Sequence, residues 1–221
     1  MMGADPQSAD EKGGRRLERI TETIAAVLLS IAALSSSYAG FQSDLWDGEQ
    51  AANYALAEQS RTDSSKHATV SIQFASIDTI LFTQWLDAYA TDNRQLADFY
   101  RERFRPEFRQ VFEPWLATRP MQTPGAPSTP FHLGGYRDRT LDSGKDLAKK
   151  ADQLFEKGQR ANQISDTYGQ AVLILALSLF LGGIIQGFNV HRTRVLLLSF
   201  SGFCLLIGLG RIAFLPAIRL I

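Results

Sequence analysis

The 221-residue chain has one cysteine, three histidines and no excess of either charge, with 23 basic side chains against 23 acidic ones. A single cysteine excludes a disulfide scaffold. The zero balance argues against nucleic acid as a partner, which would need a basic surface. With 45% hydrophobic and 21% charged residues the chain is outside the disordered class, and its glycines follow no collagen period. Catalytic signatures are missing as well: no glycine-rich phosphate loop follows a strand, no serine-nucleophile motif occurs, and no segment reads convincingly as a strand. His67, His132 and His191 are too widely spaced to form one metal site, and Cys204 sits alone in an apolar run. These absences predict a protein that is not an enzyme and has no catalytic residue, cofactor or metal.

Charge is also absent locally, in three long stretches. Thr23 to Ser43 and Thr167 to Val190 carry none, and a third run from Val195 to Gly210 is interrupted by Arg211 before it resumes through Ile218. About 20 apolar residues in a helix cross a hydrocarbon core of about 30 Å, so each run has the required length. Soluble core helices keep a polar stripe, and Leu173 to Ile185 has none. The expectation is an all-α integral membrane protein with transmembrane helices at 20–41, 167–188 and 195–218.

Short flanks set the orientation. Lys12, Arg15, Arg16 and Arg19 precede the first span, Asp44, Asp47 and Glu49 follow it, and the loop 189–194 carries Arg192 and Arg194 without an acid. Positive charge stays in the cytoplasm, so the polar tail 1–19 and the loop 189–194 read as cytoplasmic and the C-terminus as extracytoplasmic. Such a protein suits the cell membrane, a bacterial inner membrane in particular. Ser37-Tyr38-Ala39 before Gly40 also resembles a signal-peptide cleavage site, but the long basic region ahead of it favours an uncleaved signal-anchor.

Between the first two spans, residues 44–166 hold 15 basic and 18 acidic side chains. The segment 42–166 therefore reads as an extracytoplasmic antiparallel helical bundle rather than a loop. No proline or glycine occurs between Gly48 and Pro106, and Phe74, Ile77, Leu81, Trp85 and Tyr89 mark one apolar helical face. A helix over 44–90 would be about 70 Å long, so a break near Arg61 to Lys66, or an oligomeric neighbour, is expected. Thr91-Asp92-Asn93 can turn the chain and cap a second helix that starts near Arg94, which Pro106 and Pro114 kink or divide.

That second helix carries Phe99, Tyr100, Phe104, Phe108, Phe112 and Trp115 at helical spacing. The stripe is expected to pack on the Phe74 to Tyr89 face. Phe104, Phe108, Phe112 and Trp115 are also the candidates for an exposed ledge gripping lipid or a partner subunit, with Arg101, Arg103, Arg105 and Arg109 as a solvated or headgroup-facing basic set. The Pro/Gly-rich stretch 118–140 reads as a long connection without regular structure. Beyond it a helix from about Asp142 runs without proline to Tyr168 and is expected to continue into the second span.

Within the spans, Ala26 and Ser30, Gly183 and Gly187, and Gly202, Gly208 and Gly210 are candidate packing positions, because small residues let helix backbones approach in lipid. Arg211 and Gln186 are the intramembrane polar candidates. An arginine at that depth snorkels to the headgroups, pairs, or faces a cavity. The inferred partners are the bilayer and either further copies of the chain or another membrane-protein subunit. The expected role is a non-enzymatic structural or accessory subunit. The alternatives are an extracytoplasmic sensor without its own output domain, since the cytoplasmic inventory is too small for one, and an oligomeric channel or transport component.

Overall fold

A computed structural model describes residues 6–133, 135–136, 139–188 and 190–219, with side chains described from Arg19 onward and that of Gln186 excepted. Five helices account for most of them: α1 (Pro6–Ala90), α2 (Arg94–Glu102), α3 (Pro106–Ala117), α4 (Arg139–Ile184) and α5 (His191–Ala213). Short 3-10 turns at Pro130–Leu133 and Ile185–Gly187 complete the order, and the described residues contain no strand. Three helical stretches, Arg19–Ala90, Arg139–Ile184 and His191–Ala213, are long and apolar enough to cross a membrane.

Contrary to the expected break, α1 runs unbroken through Arg61–Lys66. Ser64 and Ser65 are modest helix formers rather than breakers, and the Ser64 hydroxyl donates to the Gly144 carbonyl at 2.7 Å, tying the segment to α4. The helix ends where Asp92 turns left-handed (φ 56°). Asn93 then caps α2, its side-chain oxygen accepting from the Leu96 amide at 3.2 Å. Pro106 opens α3 at a first-turn position that needs no N–H, while Pro114 lies inside α3 without ending it. As expected, α4 continues from the charged segment into the apolar one without interruption.

The chain forms two compact units. One comprises the residues up to Tyr54 together with those from Phe155 on; the other comprises Ala55–Leu154.

In the first unit α1, α4 and α5 meet around Leu28, Ala32, Leu175 and Leu205. Close approach is enforced by glycine. A Cβ on Gly208 would lie 2.7 Å from Leu175, and one on Gly182 2.8 Å from Leu29. Ser178 and Ser201, both fully buried, each donate to the other's carbonyl at 2.8 Å. Hydroxyl groups returning their protons to a neighbouring backbone satisfy themselves where no water is present.

In the Ala55–Leu154 unit the core is aromatic: Phe82, Trp85, Phe104, Phe108, Phe112 and Trp115 are buried together with Val111. Edge-to-face pairs dominate, among them Phe104 with Phe112 at 4.7 Å and Trp85 with Phe112 at 4.8 Å. The buried face of α1 is rotated from the one its spacing suggests. Asp78, Phe82, Trp85 and Ala88 point inward, whereas Ile77 and Tyr89 are exposed. Asp78 is drawn in because Arg105 Nη1 donates to its Oδ2 at 3.1 Å and the Tyr136 hydroxyl donates to the same oxygen at 2.7 Å. Residues 118–133 are more structured than their composition suggests. Trp115 Nε1 donates to the Pro127 carbonyl at 2.7 Å, and Phe131 rests 5.2 Å from Phe108, ring centre to ring centre.

Candidate functional site

The sequence candidates separate into those that build the fold and those that face away from it. Phe104, Phe108, Phe112 and Trp115 belong to the first group. All four are buried in their own unit, which removes the exposed-ledge reading and leaves the packing one. The arginines beside them are held within the chain. Arg101 makes two bonds to Glu113 at 3.0 and 2.6 Å, which raise its guanidinium above the ordinary range, and Arg109 donates to the Glu102 and Phe104 carbonyls. Arg103 lies 3.5 Å above the Phe99 ring.

Among the small residues, Gly208 packs tightly and Gly202 would bring a Cβ to 3.6 Å from Leu28. Ala26 and Ser30 are exposed; the buried positions in this apolar stretch of α1 are Ala25, Leu28, Ala32 and Ala39. Gly183, Gly187 and Gly210 would place a Cβ within 4 Å of nothing. The i,i+4 spacing of small residues is satisfied on several faces of such helices, and the partner helices decide which face turns inward. In the apolar half of α4 the tightest approach is accordingly Gly182, one position from the expected Gly183.

The third apolar helix stops at Ala213, short of the expected 218. Pro216 has no N–H and disfavours helical backbone at the residue before it. Arg211 thus stands in the last turn of α5, where a cation complements the exposed carbonyls, and it donates to Gln170 Oε1. The chain beyond forms a short strap. Gln42 clasps Ile218 by a pair of bonds at 3.0 and 2.9 Å, and Trp46 and the Tyr168 hydroxyl both donate to the Pro216 carbonyl. Gln42, Trp46, Tyr168 and Gln170 were not among the sequence candidates. Their signal is the i,i+4 pair Gln42 and Trp46 next to an apolar run. The side chain of Gln186 lies outside the described residues.

Among the described residues no cluster of histidine, cysteine or acidic side chains is placed to hold a metal, and Cys204 is a buried thiol. An exposed apolar face lies on α1 in the Ala55–Leu154 unit. Between Lys66 and Asp87 the only formal charge is the buried Asp78. The exposed side of that stretch consists of Ile72 (67% exposed), Ile80 (60%), Ile77 (47%) and Val70, interspersed with threonine, serine and glutamine. Thr69, Ser76, Thr79 and Thr83 return their hydroxyl protons to the carbonyl four residues back, at 2.8–2.9 Å, so these hydroxyls donate within the helix rather than outward.

Soluble surfaces interleave charge, and its depletion together with a contiguous apolar patch is characteristic of interaction surfaces. From residue 69 to residue 84 this face is about 22 Å long. Comparison with family models, with curated proteins and with solved structures finds no match to this chain.

Proposed function

We propose that the protein is a non-enzymatic assembly subunit of the membrane, with its N-terminus in the cytoplasm, residues 42–166 outside, and a bacterial inner membrane as its setting. The observation that carries the reading is the uncharged exposed face of α1 over residues 69–84, in a segment whose other surfaces are dense in charge. A face without charge meets a copy of itself without like-charge repulsion, which an isologous two-fold contact requires. The outward small residues Ala26, Ser30, Gly183 and Gly210 support the same reading within the bilayer, since they leave room for a neighbouring helix. Arg15, Arg16, Arg19, Arg192 and Arg194, all on short segments, support the orientation.

Two copies inserted in the same sense share one chain direction, so their α1 faces meet in parallel with like residues opposed. Ile77→Cys in a Cys204→Ser background therefore forms a disulfide-linked dimer on mild oxidation in native membranes, because the symmetric contact brings the two Cα atoms within about 7 Å. Gln59→Cys, exposed on another stretch of α1, serves as the control. Failure of both Ile77→Cys and Ile80→Cys to cross-link above this control removes self-assembly through this face.

A further inference from the structure

Two clefts of about 520 and 400 Å³ in the Ala55–Leu154 unit share Trp85, Tyr89 and Leu116 as a common floor. Either volume accommodates a small organic molecule. The floor is a two-ring platform. Tyr89 stacks on the buried Trp85 with centroids 5.0 Å apart and an interplanar angle of 22°, while Tyr89 itself is 46% exposed and lines both clefts. Trp85 covers one side of the Tyr89 ring, and a second flat ring completes the stack. Met121 adds a soft, adaptable wall.

The charges around the floor are unequal in their freedom. Arg94 is engaged by Asp92 at 3.3 Å and Arg101 by both oxygens of Glu113. Arg119, which lines the second cleft beside Pro120 and Gln122, makes no ion pair or hydrogen bond through its side chain among the described residues. Its backbone is also unusual, with φ at 51° just past the end of α3, where glycine is free of strain and a side chain is not. The chain therefore holds an uncompensated guanidinium in a strained position at the edge of an aromatic platform.

We propose that this cleft binds a small planar aromatic anion, its ring stacked on Tyr89 and its carboxylate or equivalent group accepting from Arg119. The site is independent of the assembly face on α1.

The test uses the full chain in lipid nanodiscs, with benzoate, indole-3-acetate and 1-naphthoate as probes and tryptamine as a cationic ring control. Calorimetry is expected to give saturable binding of at least one of the three anions and none of tryptamine. Arg119→Gln, on the surface, weakens that binding by about tenfold to a hundredfold, the loss of one charge-assisted hydrogen bond. Arg119→Gly relieves the backbone, so the variant melts higher than the parent and still loses affinity; a purely structural arginine would not separate the two readouts. Absence of saturable binding by all three anions overturns the proposal. So does tryptamine binding as well as they do, or unchanged affinity in Arg119→Gln.

Discussion

The ion pair of Asp78 and Arg105 gives an ordered prediction about which partner matters more. Asp78 is fully buried, whereas the Arg105 side chain keeps 20% of its surface in solvent, lies 4.0 Å over the Phe74 ring, and has Glu107 at 3.4 Å as a second acid. Arg105→Gln removes the guanidinium from a carboxylate that water cannot reach, which keeps the Tyr136 hydroxyl at 2.7 Å among its contacts. Breaking a buried pair in this way costs about 3–5 kcal/mol. Asp78→Asn leaves a cation that can turn to Glu107 and to water, and its cost is that of one charged hydrogen bond, about 1–3 kcal/mol. Replacing both residues by apolar ones of similar volume, Asp78→Leu with Arg105→Met, costs less than Arg105→Gln alone, because the buried carboxylate is removed together with its cation. Urea unfolding of the full chain in one fixed micelle, followed by tryptophan fluorescence, reads the series, since Trp85 and Trp115 lie in the adjoining core. A change of under about 0.5 kcal/mol for Arg105→Gln, the scale of an ordinary surface substitution, refutes the reasoning. So does a larger loss for Asp78→Asn than for Arg105→Gln.

Two further outcomes follow from the membrane-helix unit. Gly208→Ala drives a methyl group to 2.7 Å from Leu175 and is expected to lose about 1–3 kcal/mol of thermal stability, while Gly210→Ala two residues along, with open space around it, is neutral or slightly stabilising; equal effects would contradict the packing described. Gln42→Leu removes both bonds to Ile218, so hydrogen exchange at the Ile218 amide accelerates while that of α5 is unchanged; unaltered protection at Ile218 would show that the strap is held by other contacts.

The helical class, the turn and cap at Thr91 to Asn93 and the continuity of α4 were legible because each rests on local chemistry: an unbroken run of helix formers, short polar side chains at a helix start, and the absence of proline. The aromatic core was legible for a related reason, since large rings at helical spacing have few alternatives to burial. The register of α1 was not. Periodicity assigns carboxylates to water, and only the distant Arg105 and Tyr136 make an inward Asp78 favourable. The packing face of the apolar helices was equally hidden, because lipid and protein reward the same side chains and Gly182 differs from Gly183 only in what stands opposite. The early end of α5 was in the sequence at Pro216, outweighed by the hydrophobicity of the residues around it. The uncharged face of α1 was visible as twenty residues with one charge, and it acquires meaning only once that charge is seen to be buried.

The proposed assembly of the chain through its exposed α1 face and its outward small residues is read in the mass of the intact particle. Native mass spectrometry of the chain extracted from its own membranes into lipid nanodiscs is predicted to give a homo-oligomer or a fixed-stoichiometry complex. The same particle dissociates when Ile77 and Ile80 are both replaced by lysine. A lone monomer from native membranes, or an assembly indifferent to those two lysines, rules out assembly through this face.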